Sequence, residues 1–89
     1  MENQYNIEID MMAQGNWLAY CQFNIGKNKE EAFQIFSQLQ DNEKGLLRFT
    51  LMEKEQENKV LLTKYCTLNS LEKNCKIITK EIFRIFNFE

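Results

Sequence analysis

The chain has no histidine and no proline, and it has only three glycines and three cysteines. Without histidine it lacks the commonest general base at neutral pH, the commonest zinc ligand and any Ser-His or Cys-His arrangement. Gly15, Gly26 and Gly45 are too far apart for a dinucleotide fingerprint or a phosphate-binding loop. Cys21, Cys66 and Cys75 are odd in number and contain no CxxC pair. They form neither a disulfide framework nor a promising zinc set. The expectation is a reducing cytoplasm with free thiols that pack as small hydrophobes. No apolar run reaches the length of a membrane span, and MENQYNIEID lacks the basic and apolar segments of a secretion signal. No membrane partner, metal or cofactor is therefore expected.

What is present suits one small folded domain covering residues 1–89. Apolar residues make up 44% and charged residues 27%, which is the balance of a globular chain rather than a disordered one. Seven Phe, three Tyr and one Trp supply a core. The net charge of −2 argues against nucleic-acid binding. Residues 1–44 carry seven acids and three bases and residues 45–89 six acids and eight bases, so the first half is acidic and the second mildly basic.

The local periods give the layout. Tyr5, Ile7, Ile9 and Met11 alternate with polar residues, which is the pattern of a half-buried strand. A turn at Gln14-Gly15-Asn16 leads to a second strand over 17–25, with Trp17, Ala19, Cys21, Phe23 and Ile25 on one face. Asn28 with Glu31 reads as a capping box, opening a helix with its stripe at Ala32, Phe33, Ile35, Phe36 and Leu39 and its end near Gln40. Turn chemistry at 41–45 leads to a third strand, with Leu47, Phe49 and Leu51 inward and Arg48, Thr50 and Met52 outward. A polar turn at 55–58 precedes a fourth strand over 59–66. Its inward face is not assignable, because Val60 and Leu62 compete with Leu61 and Tyr65.

The longest clean period is helical and occupies 67–88. At ~100° per residue, Leu71, Cys75, Ile78, Ile82, Ile85 and Phe86 form an apolar stripe. Lys73, Lys76, Lys80 and Arg84 form a basic ridge opposite, with Ile77 and Phe83 outward beside it. Thr67 or Asn69 is the N-cap candidate, Asn69 with Glu72 as its capping box. The order ββαββα implies an α+β two-layer sandwich, in which a four-stranded, mainly antiparallel sheet carries two helices on one face. If strands two and three are parallel neighbours, the first helix is a right-handed crossover between them.

Few groups point to chemistry. Glu8 and Asp10 share a strand face, a geometry that can serve acid–base work but usually forms the wet side of a strand. Glu53, Glu55 and Glu57 run into a turn and are expected to be solvated. Cys66 precedes a helix N-terminus, where a thiolate is stabilised, and is the most plausible reactive thiol. The basic ridge reads first as a solvated helix face and second as a phosphate or acidic-partner site. The second face of the sheet is expected to display Met12, Leu18, Tyr20, Arg48, Met52 and Tyr65, and Tyr, Met and Arg are enriched where proteins meet. The favoured expectation is a small cytoplasmic, non-enzymatic interaction domain, homodimeric through that face or a sheet edge, or bound to another protein. The alternatives are a small-molecule carrier or enzyme using Cys66 or the Glu8/Asp10 pair, and nucleic-acid binding through the basic ridge.

Overall fold

The computed structural model describes residues 3–42 and 45–87. The elements are β1 (Gln4–Ala13), β2 (Asn16–Asn24), α1 (Lys29–Ser37), β3 (Leu47–Lys54), β4 (Asn58–Cys66) and α2 (Leu68–Asn87). The expected ββαββα order is present, and all three strand pairings are antiparallel in an open sheet ordered β2-β1-β3-β4. β2 and β3 are separated by β1, so α1 does not join neighbouring parallel strands. Gln4 already lies in β1, one residue before the alternation that marks the strand. Of the turn predicted at 41–45, positions 43 and 44 lie outside the described residues, as does Phe88.

The two central strands carry the core. Ile7 pairs with Leu51 and Ile9 with Phe49, and all four are fully enclosed between sheet and helices. Gln14 and Gly15 connect β1 to β2 with φ of 52° and 82°. Positive φ at both loop residues gives the primed two-residue hairpin, shorter than the predicted turn, whose twist matches that of the strands.

Both edge strands carry a bulge. Ile9 pairs with Cys21 but Asp10 pairs with Ala19, which leaves Tyr20 as an extra residue in β2. Leu51 pairs with Leu62 but Met52 pairs with Val60, which leaves Leu61 extra in β4. An extra residue reverses the side on which every later side chain falls. Cys21 and Phe23 keep the helix side, whereas Trp17 and Ala19 move to the opposite face and Leu18, paired with Met11, takes the helix side. That corrects the strict alternation expected for β2. Cys21 is also exposed rather than packed, because β2 is an edge.

α1 begins at the expected Asn28 cap, but the Glu31 carboxylate is taken by Arg84 of α2, so only the Asn28 half of the capping box is formed. The Asn28 side-chain oxygen accepts from the Glu31 N–H at 2.9 Å, and Ala32, Ile35 and Phe36 are buried. It ends at Ser37, before the predicted Gln40, with no basic residue of its own in the last turn. The missing cation comes from β4. Lys64 Nζ donates to the carbonyls of Phe36 and Leu39 at 2.8 and 2.9 Å and sits 5.3 Å from the Phe36 ring centroid. A cation at a helix C-terminus answers both its unpaired carbonyls and its dipole. The helix-facing residues of β4 are thus Leu62, Lys64 and Cys66, with Lys59 on the same side beyond the bulge and Leu61, at the bulge, packed against the core, so lysines and the bulge together hide the alternation.

α2 starts one residue after Thr67, whose carbonyl accepts from the N–H groups of Ser70 and Leu71. Asn69 lies inside the helix, so the Asn69–Glu72 capping box does not form. The buried residues of α2 are Ser70, Asn74 and Ile78, with Ile77 packed against the core and Phe86 56% exposed. Leu71, Cys75, Ile82 and Ile85 of the predicted stripe pack against the core beside Ile78, and the departures are the exposed Phe86, the inward Ile77 and the two buried polar residues Ser70 and Asn74. Asn74 is 0% exposed. Its oxygen accepts from the Gln40 N–H at 2.9 Å and its nitrogen donates to the Gln40 carbonyl at 3.2 Å. Ser70 Oγ donates to the Asn42 side-chain oxygen at 2.8 Å. These two residues fasten the segment after α1.

Glu53 departs from the expected solvated run, since it is buried on the helix side opposite Tyr5. Tyr5 Oη donates to Glu53 Oε2 at 2.7 Å, and Asn3 Nδ2 donates to the same oxygen at 3.0 Å. The Tyr5 hydroxyl holds the Glu53 carboxyl below its ordinary pKa of 4.5, against the opposing effect of burial, while burial and Glu53 together raise Tyr5. A depressed carboxyl pKa contributes stability that is fully present above 4.5 and is lost as pH falls through the lower folded value. Tyr5→Phe is therefore expected to lower the urea midpoint at pH 7, and the gap to the parent is expected to narrow as pH falls below 4.5. A gap that stays constant or widens toward acid would show that Glu53 does not depend on the tyrosine.

Candidate binding surface on the open face of the sheet

The helices cover one side of the sheet, and the other side is built from alternate residues of all four strands. β1 contributes Asn6, Glu8, Asp10 and Met12, and β3 contributes Arg48, Thr50 and Met52. β4 adds Tyr65, Thr63 and Val60 by pairing with Arg48, Thr50 and Met52. β2 adds Gln22 and, beyond its bulge, Ala19 and Trp17. Of the residues expected here, Met12, Arg48, Met52 and Tyr65 share this face, Tyr20 sits at the bulge, and Leu18 is on the helix side. Trp17 was missed, and only the bulge, which has no sequence signature, brings it here.

One cluster dominates this surface. Arg48 lies directly across from Asp10, and its Nη2 and Nε approach one carboxylate oxygen at 2.8 and 3.3 Å. The guanidinium carbon is 4.6 Å from the centroid of the Trp17 ring. Trp17 in turn meets Tyr65 with ring centroids 5.9 Å apart and planes tilted by 45°. Ion pairing from one side and a π-face from another fix the guanidinium while leaving it part-exposed. Cation–π and aromatic contacts of this kind contribute about 0.5 to 1.5 kcal/mol each.

Elsewhere the face is sheltered at its central strands and exposed at Ala19, Gln22, Val60 and Thr63 of the edge strands. Asn6, Thr50 and Met52 are buried. The Asn6 amide satisfies both its ends when its oxygen accepts from Gln22 Nε2 at 3.0 Å and Lys54 Nζ at 3.2 Å and its nitrogen donates to the Tyr5 carbonyl. Two shallow depressions flank the Glu8/Asp10 row. One, of about 290 Å³, lies toward β4 among Arg48, Thr50, Met52, Val60, Thr63 and Tyr65. The other, of about 240 Å³, lies toward β2 against Ala19, Tyr20, Cys21 and Gln22. Glu8 and Asp10 line both, and Asp10 is engaged by Arg48.

The other candidates are dispersed. Cys66 is fully buried on the helix side, opposite Leu47. Burial pushes its thiol up, only partly offset by a hydrogen bond with Asn74, so the helix N-terminus beside it does not yield an accessible thiolate. Of the basic ridge, Arg84 is engaged by Glu31 of α1 at 2.7 Å and Glu81 at 2.6 Å, while Lys73, Lys76 and Lys80 are exposed. Phe83 is 63% exposed, but Ile77 faces the core. Among the described residues no group of three or more Cys, Asp or Glu is placed to hold a metal ion, and no helix is long and apolar enough to cross a membrane. Comparison with models of known families, with curated proteins and with solved structures finds no match to this chain.

Proposed function

We propose that this is a non-enzymatic binding domain whose working surface is the open face of the sheet and whose partner is another polypeptide. The observation that carries the reading is the Trp17–Arg48–Tyr65 cluster held by Asp10. Trp, Tyr and Arg are the residues in which binding energy concentrates at protein interfaces, and here they are pre-positioned and part-exposed. The depressions on either side are of a size to receive single side chains from a segment lying across the strands. Free thiols at all three cysteines suit a reducing compartment such as the cytoplasm.

A second copy stacked on this face fits less well. It would take Glu8 and Lys54 out of water on both sides, and unpaired charged groups are costly to bury. A catalytic role for Glu8 and Asp10 also has less support, since Asp10 is tied to Arg48 in a shallow, open site.

Arg48→Glu tests the reading, because it removes the cation–π contact and sets two acids against each other at the Asp10 pair. Recovery of the natural partner on the immobilised protein is expected to fall at least about tenfold, the loss typical of an interface anchor. The circular dichroism spectrum should be unchanged. Equal recovery with an intact spectrum would remove the open face from consideration.

A further inference from the structure

We infer that the depression on the β2 side of the open face is the seat of a cationic side chain, a lysine or an arginine, carried by the polypeptide that binds there. The inference rests on the open-face reading and names the chemistry of its partner.

The charges of the open face are engaged except at one place. Arg48 holds Asp10 at 2.8 Å, and the Lys54 ammonium lies 3.2 Å from the Asn6 side-chain oxygen. Glu8 stands between Asn6 and Asp10 on β1, with Gln22 across from it on one side and Thr50 on the other, both uncharged. Among the described residues its carboxylate has no hydrogen-bond or ion-pair partner. Glu8 is already part-buried, and a segment laid across the strands would take it further out of water. A carboxylate sealed under a partner without a counter-charge is strongly unfavourable. A partner that covers this face therefore has to bring a cation to Glu8.

The two depressions differ in sign, and that places the cation. Glu8 and Asp10 line both, but Arg48 lines only the one toward β4, where its guanidinium would repel a second cation. The β2-side depression, of about 240 Å³, has no base in its lining. Ala19, across from Asp10, keeps it open with a small side chain. Gln22 Nε2 donates to the Asn6 oxygen, which leaves the Gln22 carbonyl oxygen as an acceptor. Tyr20, the extra residue of the β2 bulge, is half exposed beside it, and the face of a tyrosine ring attracts cations. A carboxylate, an amide oxygen and a π-face are together what an ammonium or guanidinium needs. The β4-side depression, with Met52, Val60 and Tyr65, suits an uncharged side chain of the same segment.

Selection of a phage-displayed random peptide library on the immobilised, reduced full chain tests this, with Glu8→Gln and Arg48→Glu immobilised in parallel. Glu8→Gln keeps the shape of a side chain that has no partner to lose, so its circular dichroism spectrum should match the parent's. The parent is expected to enrich peptides with Lys or Arg at one fixed position. Replacing that residue by Ala in a synthetic peptide is expected to weaken binding to the parent at least about tenfold, and binding to Glu8→Gln by no more than about twofold. No enrichment, enrichment without a fixed basic residue, or an equal loss on parent and Glu8→Gln overturns the inference. If such peptides still fail on Arg48→Glu, the open-face reading survives without it; peptides indifferent to both variants overturn both. Retention of the labelled parent chain on the immobilised parent, lost with Glu8→Gln, would put a basic residue of a second copy in the seat and overturn the choice of partner.

Discussion

Asn74→Leu is expected to destabilise the fold by about 2 to 3 kcal/mol, although it places an apolar side chain of similar size on the inner face of a helix. Asn74 is fully enclosed on the inner side of α2, and it answers both the N–H and the C=O of Gln40. Leucine would leave that donor and that acceptor facing an apolar group, and the desolvation cost of the pair exceeds what added apolar burial returns. The loss should be local first. Amide exchange over residues 38–42 is expected to accelerate more than exchange in β1 or β3, because the strap, not the central sheet, loses its partner. Urea unfolding and exchange on the same variant check both parts. A variant as stable as the parent would mean that the strap contributes nothing.

Gly45→Ala is expected to be worse, costing about 3 kcal/mol or more and lowering Tm by roughly 15 °C. The cause is proximity rather than φ. A Cβ on Gly45 would fall on the backbone of Cys66, meeting its carbonyl carbon and oxygen, and main-chain atoms cannot turn aside as a side chain can. Cys66 is itself held, paired with Leu47 and buried beneath α2. The chain must therefore shift where β3 begins and β4 ends, at the edge of the core. A thermal scan that places Gly45→Ala within about 3 °C of the parent would contradict this close approach, since that corresponds to well under 1 kcal/mol for a domain this size.

Alternation was a reliable guide where a strand is central and regular. Ile7, Ile9, Phe49 and Leu51 all point where their spacing says, and the Asn28 cap forms as its pattern implies. It failed where an edge strand gains a residue. The shift between Ile9 and Asp10 exchanges the faces of Trp17 and Leu18, so the ring that completes the Arg48 cluster was read as core. Lys64, Asn74 and Glu53 defeated the pattern differently. Each is a polar or charged residue on the inner side whose partners, the α1 carbonyls, Gln40 and Tyr5, are distant in sequence. Hydrophobic periodicity cannot see a partner that only the tertiary fold supplies. The paired residues Arg48 and Asp10 were both legible as outward-facing; their meeting required the β1–β3 register.

The most direct measurement of the functional claim is site-specific photocrosslinking in the cell that makes the protein. A photoreactive amino acid at Thr63 would sit exposed on the β4 side of the open face, lining the depression there. The same group at Lys73 would sit exposed on α2. The account predicts a discrete protein adduct from Thr63, not shared by Lys73 and abolished by Arg48→Glu. An adduct from Lys73 with none from Thr63, or a Thr63 adduct indifferent to Arg48→Glu, would contradict it.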